Sequence, residues 1–406
     1  MASVMHGWLE VNLTSDLPFW IVRNALLQTY PPLGEDLSCD ALVIGGGISG
    51  ALLAHQLTKN AVDCILIDGR DIGFGSTSAS TALLQYEIDT PLYRLEKRVG
   101  KVAAERAYRA GVESIGRLQK LAGSDTGFSA RPSLQIAARA GDAAGLEKEY
   151  KRRLELGFPV SWLGRRDLRA RGMEAPCALR SRIAGQVDPY RLTHRLLRLA
   201  SARGLRIFDR TTALGYSHSR GQVTVKTERG HSIRCKGVFF STGYETQGIL
   251  PKTIVSFKST YAFVSEPLSD LHWWKERALI WGTGDPYLYM RTTDDNRVLV
   301  GGEDDRVLNP AQRDRQITAK TNRLIRRFNK LFPHVTIEPA FAWAGLFGST
   351  KDGLGYIGTH PAFPRAYFAL GFGGNGITFA EIASRILPDL FLGRSNNDQH
   401  IFRFDR

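Results

Sequence analysis

Cysteine is scarce in this chain, and its spacing excludes several kinds of site. The 406 residues contain four cysteines, Cys39, Cys64, Cys177 and Cys235, with no CxxC pair and no cluster of cysteine and histidine. Zinc and iron–sulfur sites need closely spaced ligands, and disulfide frameworks belong to much shorter secreted domains. We therefore expect reduced cysteines, no metal ion and no disulfide framework.

Long apolar runs are also missing. The longest apolar stretch, 41–54, contains four glycines and is shorter than the roughly 20 residues that cross a bilayer. The amino terminus carries acidic residues and lacks the basic segment and apolar run of a secretory signal. We therefore expect no integral membrane segment and a cytoplasmic location.

Acidic residues are in deficit, with 40 Asp and Glu against 54 Lys and Arg, which gives a net charge of +14. The stretch from Arg131 to Arg210 holds 18 basic and 8 acidic residues and so contributes +10 of this charge. A basic face can attract nucleic acid, but no interleaved aromatic residues accompany it here. A solvated surface is the favoured interpretation, and no nucleic-acid partner is expected. A non-catalytic, RNA-associated protein is the remote alternative.

The segment from Cys39 to Asp68 has the pattern of one βαβ unit: an apolar run, the turn GGGISG, a helical period and a second apolar run. In this G-x-G-x-x-G turn, Gly45 permits a tight bend and Gly47 lets the backbone approach a pyrophosphate. Gly50 lets the helix pack closely on the sheet. Asp68 ends the second strand and can accept both ribose hydroxyl protons. The pattern predicts a dinucleotide site, with a structural glycine turn as the alternative.

Two further segments bear on the choice of dinucleotide. Small residues and hydroxyls fill 73–82, directly after the second strand, where a bulky flavin could pass. The segment 370–378, LGFGGNGIT, runs from a strand through glycines into a helix expected to begin near Thr378. Such a helix N-terminus could stabilise negative charge at N1 and the C2 carbonyl of a reduced flavin. An ordinary glycine-rich turn is the competing interpretation.

In these segments and in their order, the sequence resembles the FAD-dependent amine oxidoreductase family. That family includes D-amino-acid oxidase, glycine oxidase, monomeric sarcosine oxidase and gamma-glutamylputrescine oxidase. The similar segments include VIGGGISG, ILIDGRDIGFGSTSAS, VFFSTGY, WAGLFGSTKDGLGYIG and FALGFGGNGI, which extend over nearly the whole chain. The resemblance implies an α/β fold: a Rossmann-like FAD-binding domain with a second, α+β substrate domain built on an antiparallel sheet.

The resemblance also implies domain boundaries and site residues. The expected domains are an N-terminal extension, 1–37, a discontinuous FAD-binding domain, 38–125, 185–250 and 343–406, and a substrate domain, 126–184 and 251–342. The residues expected to bind FAD are Gly45, Gly47, Ile48, Ser49, Gly50, Asp68, Gly69, Arg70, Ser76, Thr77, Ser78, Ala213, Thr242, Gly243, Gly373, Gly374, Asn375, Gly376, Ile377 and Thr378. The residues expected on the substrate side are Gln85, Tyr287, Tyr289, Trp343 and Phe347.

Departures from the family pattern concern the substrate. Glycine-oxidase relatives place a carboxylate-binding Arg where this chain has Phe347, and sarcosine-oxidase relatives use cations at positions that align with Gln85 and Thr378. Gly345 aligns with the Cys that attaches the flavin in the sarcosine-oxidase branch, so the FAD is expected to be non-covalent. Small amino acids become poor candidates unless Arg291 or another remote arginine compensates.

The resemblance implies hydride transfer from the carbon that bears a neutral amine to flavin N5, which gives an imine that water hydrolyses. Tyr287 and Tyr289 share one strand face and could form an aromatic wall with Trp343 and Phe347. The first two could equally be ordinary core residues. O2 is one possible electron acceptor. A flavin dehydrogenase that passes electrons to a quinone or carrier protein shares every motif and is the main alternative.

Overall fold

The computed structural model describes residues 12–15 and 17–406. Its α-helices are α1 Phe19–Asn24, α2 Ile48–Lys59, α3 Ser76–Ala79, α4 Leu92–Val99, α5 Lys101–Ala122, α6 Ala143–Glu155, α7 Arg165–Arg169, α8 Pro189–Ser201, α9 Pro310–Leu331 and α10 Gly376–Phe391. Its strands are β1 Thr14–Ser15, β2 Leu37–Ser38, β3 Ala41–Ile44, β4 Cys64–Ile67, β5 Leu83–Gln85, β6 Ser129–Ile136, β7 Val160–Gly164, β8 Cys177–Gln186, β9 Arg206–Phe208, β10 Ala213–Ser219, β11 Gln222–Thr227, β12 Ser232–Cys235, β13 Gly237–Phe240, β14 Ser256–Ser265, β15 Leu279–Gly282, β16 Leu288–Thr292, β17 Val298–Asp305, β18 Pro339–Ser349, β19 Tyr356–Thr359 and β20 Ala366–Leu370.

A six-stranded sheet with the order β19-β20-β13-β3-β4-β9 carries the glycine turn. Its neighbours are parallel except for the β19–β20 pair. Strand β3 is buried on both faces: Ala41 and Val43 pack under a layer that includes α2, α5, α8 and α10, while Leu42 and Ile44 face the opposite core. Continuous apolar strands of this kind are typical of a parallel sheet covered on both sides. The expected Rossmann-like sheet is confirmed.

The larger sheet runs β1-β18-β14-β17-β16-β15-β6-β8-β5, with β7 also paired to β8. Within the described residues all of its pairs are antiparallel except β15 with β6. Helix α9 packs against β14, β17 and β18. This arrangement agrees with the expected second domain on an antiparallel sheet. The exact domain boundaries stay a prediction, and β18 crosses the one placed at residue 343.

A single strand expected at 233–240 is two strands in the structure. Strand β12 ends at Cys235 and pairs within a four-stranded sheet, β10-β11-β12-β2, whereas β13 begins at Gly237 in the Rossmann-like sheet. Lys236, between them, donates its backbone N–H to the carbonyl of Asp40. Burial alternates along β12, whereas all four residues of β13 are buried, so the change of sheet falls where an alternating pattern gives way to the continuous apolar run of a parallel strand.

The described part of the N-terminal extension is tied to the large sheet. Strand β1 pairs with β18 through Thr14 and Gly345. Arg313, which is fully buried in α9, donates from Nε to Ser15 Oγ at 2.7 Å and from its two terminal nitrogens to the carbonyl and side chain of Asn12 at 2.9 and 3.0 Å. The short helix expected in this extension is α1. The strand expected at 8–13 lies mostly outside the described residues.

Apolar residues three and four positions apart predict helices at 108–122, 192–199, 317–328 and 379–390. These correspond to α5, α8, α9 and α10. Across residues 12–15 and 17–406, no helix combines the length and the apolar character needed to cross a membrane.

Arg313→Ala should release the N-terminal segment, because Ser15 Oγ and both oxygens of Asn12 lose a charged donor. Hydrogen bonds to charged groups contribute about 1.5 to 3 kcal/mol, so we expect a loss of about that size in the free energy of unfolding and faster proteolysis before residue 19. Arg315→Ala, an exposed change on the same helix, is the control and should alter neither property. An unchanged rate of proteolysis in Arg313→Ala would contradict this role.

Candidate functional site

One cavity of about 590 Å³ brings together most of the residues predicted from the sequence. Its wall combines the carboxyl ends of the Rossmann-like strands with one face of the large sheet, from β14 to β18. The predicted residues that line it are Gly45, Gly47, Ile48, Ser49, Asp68, Gly69, Arg70, Ser76, Thr77, Gln85, Ala213, Thr242, Gly243, Tyr287, Tyr289, Trp343, Phe347, Gly373, Gly374, Asn375, Gly376 and Ile377.

Three predicted residues, Gly50, Ser78 and Thr378, lie behind the wall rather than in it. A Cβ at Gly50 would overlap the carbonyl oxygen of Gly45, so this glycine serves helix packing. Ser78 is fully buried and donates its hydroxyl to the carbonyl of Gly75 at 2.9 Å. Helix α10 begins at Gly376, before Thr378, whose hydroxyl therefore donates to the carbonyl of Gln85 at 3.1 Å.

The first glycine turn shapes one end of the cavity. Gly45 has φ +107°, and a Cβ there would lie 2.6 Å from the carbonyl oxygen of Ser241. A Cβ on Gly47 would lie 2.8 Å from Thr77 Oγ1, which already accepts the backbone N–H of Ile48 at 2.9 Å. Thr77 thus takes the first N–H of helix α2, and the helix directs the positive end of its dipole to the cavity beside the glycine turn, which favours an anionic group.

Asp68 lies at the end of β4, beside this turn. Its Oδ2 accepts the backbone N–H of Gly46 at 2.6 Å, and its Oδ1 accepts that of Arg70 at 2.8 Å. Burial raises the pKa of the Asp68 carboxyl to about 6, although both N–H groups oppose the rise. The carboxylate is thus held in a fixed orientation at the cavity wall, and it titrates close to neutral pH.

The second glycine segment forms the opposite part of the wall. After β20 the chain makes a short 3₁₀ turn at Gly373–Asn375 and enters α10. Asn375 fixes this turn by donating its side-chain amide to the carbonyls of Gln85 and Glu87 at 3.1 and 2.9 Å. The expected helix N-terminus is therefore present at the cavity, and it is joined to the strand that carries Gln85.

The four aromatic residues predicted on the substrate side, Tyr287, Tyr289, Trp343 and Phe347, all line the cavity. Tyr287 lies between Trp281 and Tyr289, with each pair of ring centroids 6.3 Å apart. Trp343 is 1% exposed and donates its indole N–H to the carbonyl of Ala79 at 3.0 Å. Tyr287 and Tyr289 are half-buried and line the cavity, so they are not ordinary core residues.

Arg291, the remote arginine that could compensate for a missing carboxylate ligand, is not among the lining residues. It is 2% exposed, its guanidinium lies 5.0 Å from the ring centroid of Trp20, and it donates to the carbonyl of Ala82 at 3.2 Å. Burial lowers its pKa to about 9. Strand alternation places Arg291 on the same face as Tyr287 and Tyr289, but Trp20 of α1 packs against its guanidinium.

Several lining residues were not found from the sequence. Five are carboxylates, Glu87, Asp89, Glu228, Glu245 and Asp304, and another is Leu13 of the N-terminal segment. The sequence shows Glu87 and Asp89 only as the acids of QYEID, and Asp304 only as an acid of GGEDD. Acids in such short segments are typical of ordinary turns and strand edges. Their approach to one another depends on contacts between distant parts of the chain.

Together, the parallel sheet, the glycine turn at a helix N-terminus and the acid after the second strand define a dinucleotide-binding protein. Comparison with known proteins narrows this class. Residues 40–390 match the family model described as FAD dependent oxidoreductase, and the chain belongs to this family. It is therefore an enzyme that binds FAD, and the non-catalytic alternative is not retained.

Individual relatives are distant but similar over nearly their whole length. Glycine oxidase of Bacillus licheniformis is 26% identical over 90% of this chain and 96% of its own. Gamma-glutamylputrescine oxidoreductase of Escherichia coli K12 is 24% identical over 90% of this chain and 86% of its own. The crystal structure of glycine oxidase from Geobacillus kaustophilus superimposes with a TM-score of 0.72 at 20% identity, covering 89% of this chain and 96% of that chain.

The residues of the cavity fit FAD. Gly45 and Gly47 line the cavity with backbone alone, and Ser76 Oγ is buried at the cavity wall without a hydrogen-bond partner among the described residues. Both features suit the approach of a phosphate-bearing ligand, which supplies an acceptor for a hydroxyl and needs close backbone contact.

Asp68→Asn should weaken FAD binding, because a charged acceptor for ribose hydroxyls becomes neutral. The loss of a charge-assisted hydrogen bond should make the free energy of FAD binding about 1.5 to 3 kcal/mol less favourable. Fluorescence titration of the apoprotein measures the FAD dissociation constant. Asp71→Asn, which neutralises a nearby acid outside the cavity wall, is the control and should leave affinity unchanged.

The Asp68 carboxylate should also make the affinity for FAD depend on pH. Since the free protein holds this pKa at about 6 and FAD favours the ionised form, affinity should fall as pH falls through 6. The dependence should disappear in Asp68→Asn. Equal pH profiles for the two proteins would show that another acid holds the ribose.

Proposed function

We propose that this chain oxidises the CH–NH bond of an amine that lacks an α-carboxylate. The observation that carries the proposal is the absence of a cation on the substrate side of the cavity. Phe347 and Gln85 line the cavity as neutral residues. Arg70, which forms an ion pair with Glu245, is the one basic residue among the described lining residues, and it lies beside Asp68.

For the cofactor, we propose that the turn of Gly45 and Gly47 holds the pyrophosphate and Asp68 holds the ribose. The N-terminus of α10, preceded by Asn375, then faces the pyrimidine end of the flavin ring, where its partial positive charge favours the reduced, anionic form. Bound FAD supplies the hydride acceptor, so no nucleophile of the protein is required. These residues orient the FAD and favour the negative charge of its reduced form.

For the substrate, the aromatic wall excludes water and offers ring faces to a cationic or newly neutralised amine. Burial raises the pKa of both Tyr287 and Tyr289, so their hydroxyls stay protonated and can donate hydrogen bonds at neutral pH. Tyr289 is also within 3.2 Å of the Thr260 hydroxyl. A carboxylate next to these groups would lack a charged partner, whereas an alkyl amine would not need one.

Reoxidation by O2 and transfer to a quinone or carrier protein are both compatible with this site. Hydrogen peroxide formation in air with a reducing amine distinguishes the two acceptors. The cytoplasmic location and the absence of a nucleic-acid partner stay predictions.

The FAD should be released intact on acid precipitation. Gly345, in the position aligned with the attachment cysteine, pairs with Thr14 and offers no sulfur, and none of the four cysteines lines the cavity. The measurement is flavin absorbance in the supernatant against the washed pellet. Flavin retained by the pellet would contradict non-covalent binding.

Amines without an α-carboxylate should reduce the flavin anaerobically more efficiently than glycine, sarcosine or D-alanine. A buried ion without its partner costs about 3 to 5 kcal/mol, so the ratio of kred/Kd should be at least about a hundredfold. Stopped-flow bleaching of the flavin absorbance measures both constants.

Phe347→Arg supplies a cation to the same wall and should shift this preference towards the amino acids. Phe341→Arg, which changes an exposed phenylalanine of the same strand outside the cavity wall, controls for added charge. If sarcosine or a D-amino acid is the best substrate of the unmodified protein, the proposed substrate class is wrong.

A further inference from the structure

The substrate side of the cavity is acidic as well as aromatic. Glu87, Asp89 and Asp304 line it together with Tyr287, and no lysine or histidine is found among the described lining residues. The negative charges of these three carboxylates contribute to the raised pKa of Tyr287. One tyrosine ring therefore lies within the electrostatic reach of all three acids.

Asp89 connects this acidic side to the second glycine segment. Its Oδ2 accepts the backbone N–H of Gly374 at 3.0 Å. Burial raises the pKa of Asp89, and the charge of Asp304 adds to the rise. The two aspartates thus repel each other across the cavity in the absence of a cation.

Asp304 has unused hydrogen-bonding capacity. Its Oδ1 is buried and accepts no hydrogen bond from a described residue, and none of the ion pairs within 4.0 Å in the described chain includes it. Burial raises the pKa of Asp304, while a hydrogen bond with the Thr260 side chain and the charges of Lys258 and Lys320 oppose the rise. Lys320 is engaged elsewhere, because its Nζ lies 2.9 Å from Asp305 Oδ2.

Glu87 provides an independent indication of a missing hydrogen-bond donor. It is 4% exposed, and its Oε2 is buried without a hydrogen-bond partner among the described residues. Its other oxygen lies 3.3 Å from Arg153, which is shared with Glu149. Two buried carboxylate oxygens on one side of the cavity therefore lack a donor, which native structures ordinarily provide.

An ammonium group satisfies these requirements. It supplies three donors and a positive charge to the carboxylates, and the faces of Tyr287 and Trp281 favour a cation. The reacting amine cannot be this group, because hydride transfer needs a neutral nitrogen whereas carboxylates stabilise the protonated one. The ligand therefore needs a second nitrogen.

Building on the proposed function, we propose that Asp304, assisted by Asp89, binds an ammonium group that is not the reacting amine. The substrate class is accordingly an aliphatic diamine or polyamine. One end is oxidised at the flavin while the other end remains charged and bound to the acidic side.

The test compares n-butylamine with 1,4-diaminobutane, which differ by one ammonium group on the same carbon chain. Anaerobic stopped-flow reduction of the FAD-loaded protein gives kred and Kd for each amine. The diamine should have a Kd about ten to a hundred times lower, as expected for a charged hydrogen-bonded pair. The thermal midpoint of the loaded protein in each amine provides a readout that does not depend on turnover.

Asp304→Asn keeps the shape of the side chain and removes its charge, so it should abolish the difference in Kd between the two amines. Asp89→Asn should reduce the difference. Asp270→Asn, on an exposed loop, is the matched control and should retain the full diamine preference.

The outcomes separate this inference from the proposed function. If n-butylamine and 1,4-diaminobutane perform equally in the unmodified protein, or if Asp304→Asn weakens both to the same degree, the second ammonium site is wrong while amine oxidation stands. If neither amine reduces or stabilises the loaded protein, both proposals fail.

Discussion

The close contact of two backbone segments at Gly45 and Gly50 is the constraint on which the rest of the site depends. Because neither residue carries a Cβ, helix α2 can begin directly against the end of β3. This contact directs the helix N-terminus into the cavity and sets the distance to Asp68 on the neighbouring strand. A side chain at either position would move the helix away from the sheet, and the anion-binding end of the cavity would be lost.

The sequence predicts this end of the cavity well because its parts are contiguous. Strand, turn, helix and acid follow one another between residues 41 and 68, and each local preference agrees with the final structure. Helices α5, α8 and α9 were equally predictable, since burial repeats every three or four residues along them. Helix α10 was found from its apolar spacing, although the structure buries it on nearly all sides.

The substrate side was only partly predictable, for a physical reason. Tyr287 and Tyr289 follow from strand alternation, but Asp89 and Asp304 come from segments that meet only through the tertiary fold. The position of Arg291 depends on Trp20, whose helix packs over it. No spacing along the chain contains this information.

The clamp of Arg313 on the N-terminal segment has a consequence for biosynthesis. The wall of the cavity contains both Leu13 and Ile377, so it cannot close until every residue between them has been synthesised and these distant segments have folded together. Until those long-range contacts form, the apolar strands between them are exposed to aggregation or chaperone binding. A complete wall for FAD therefore appears only after that long-range folding step.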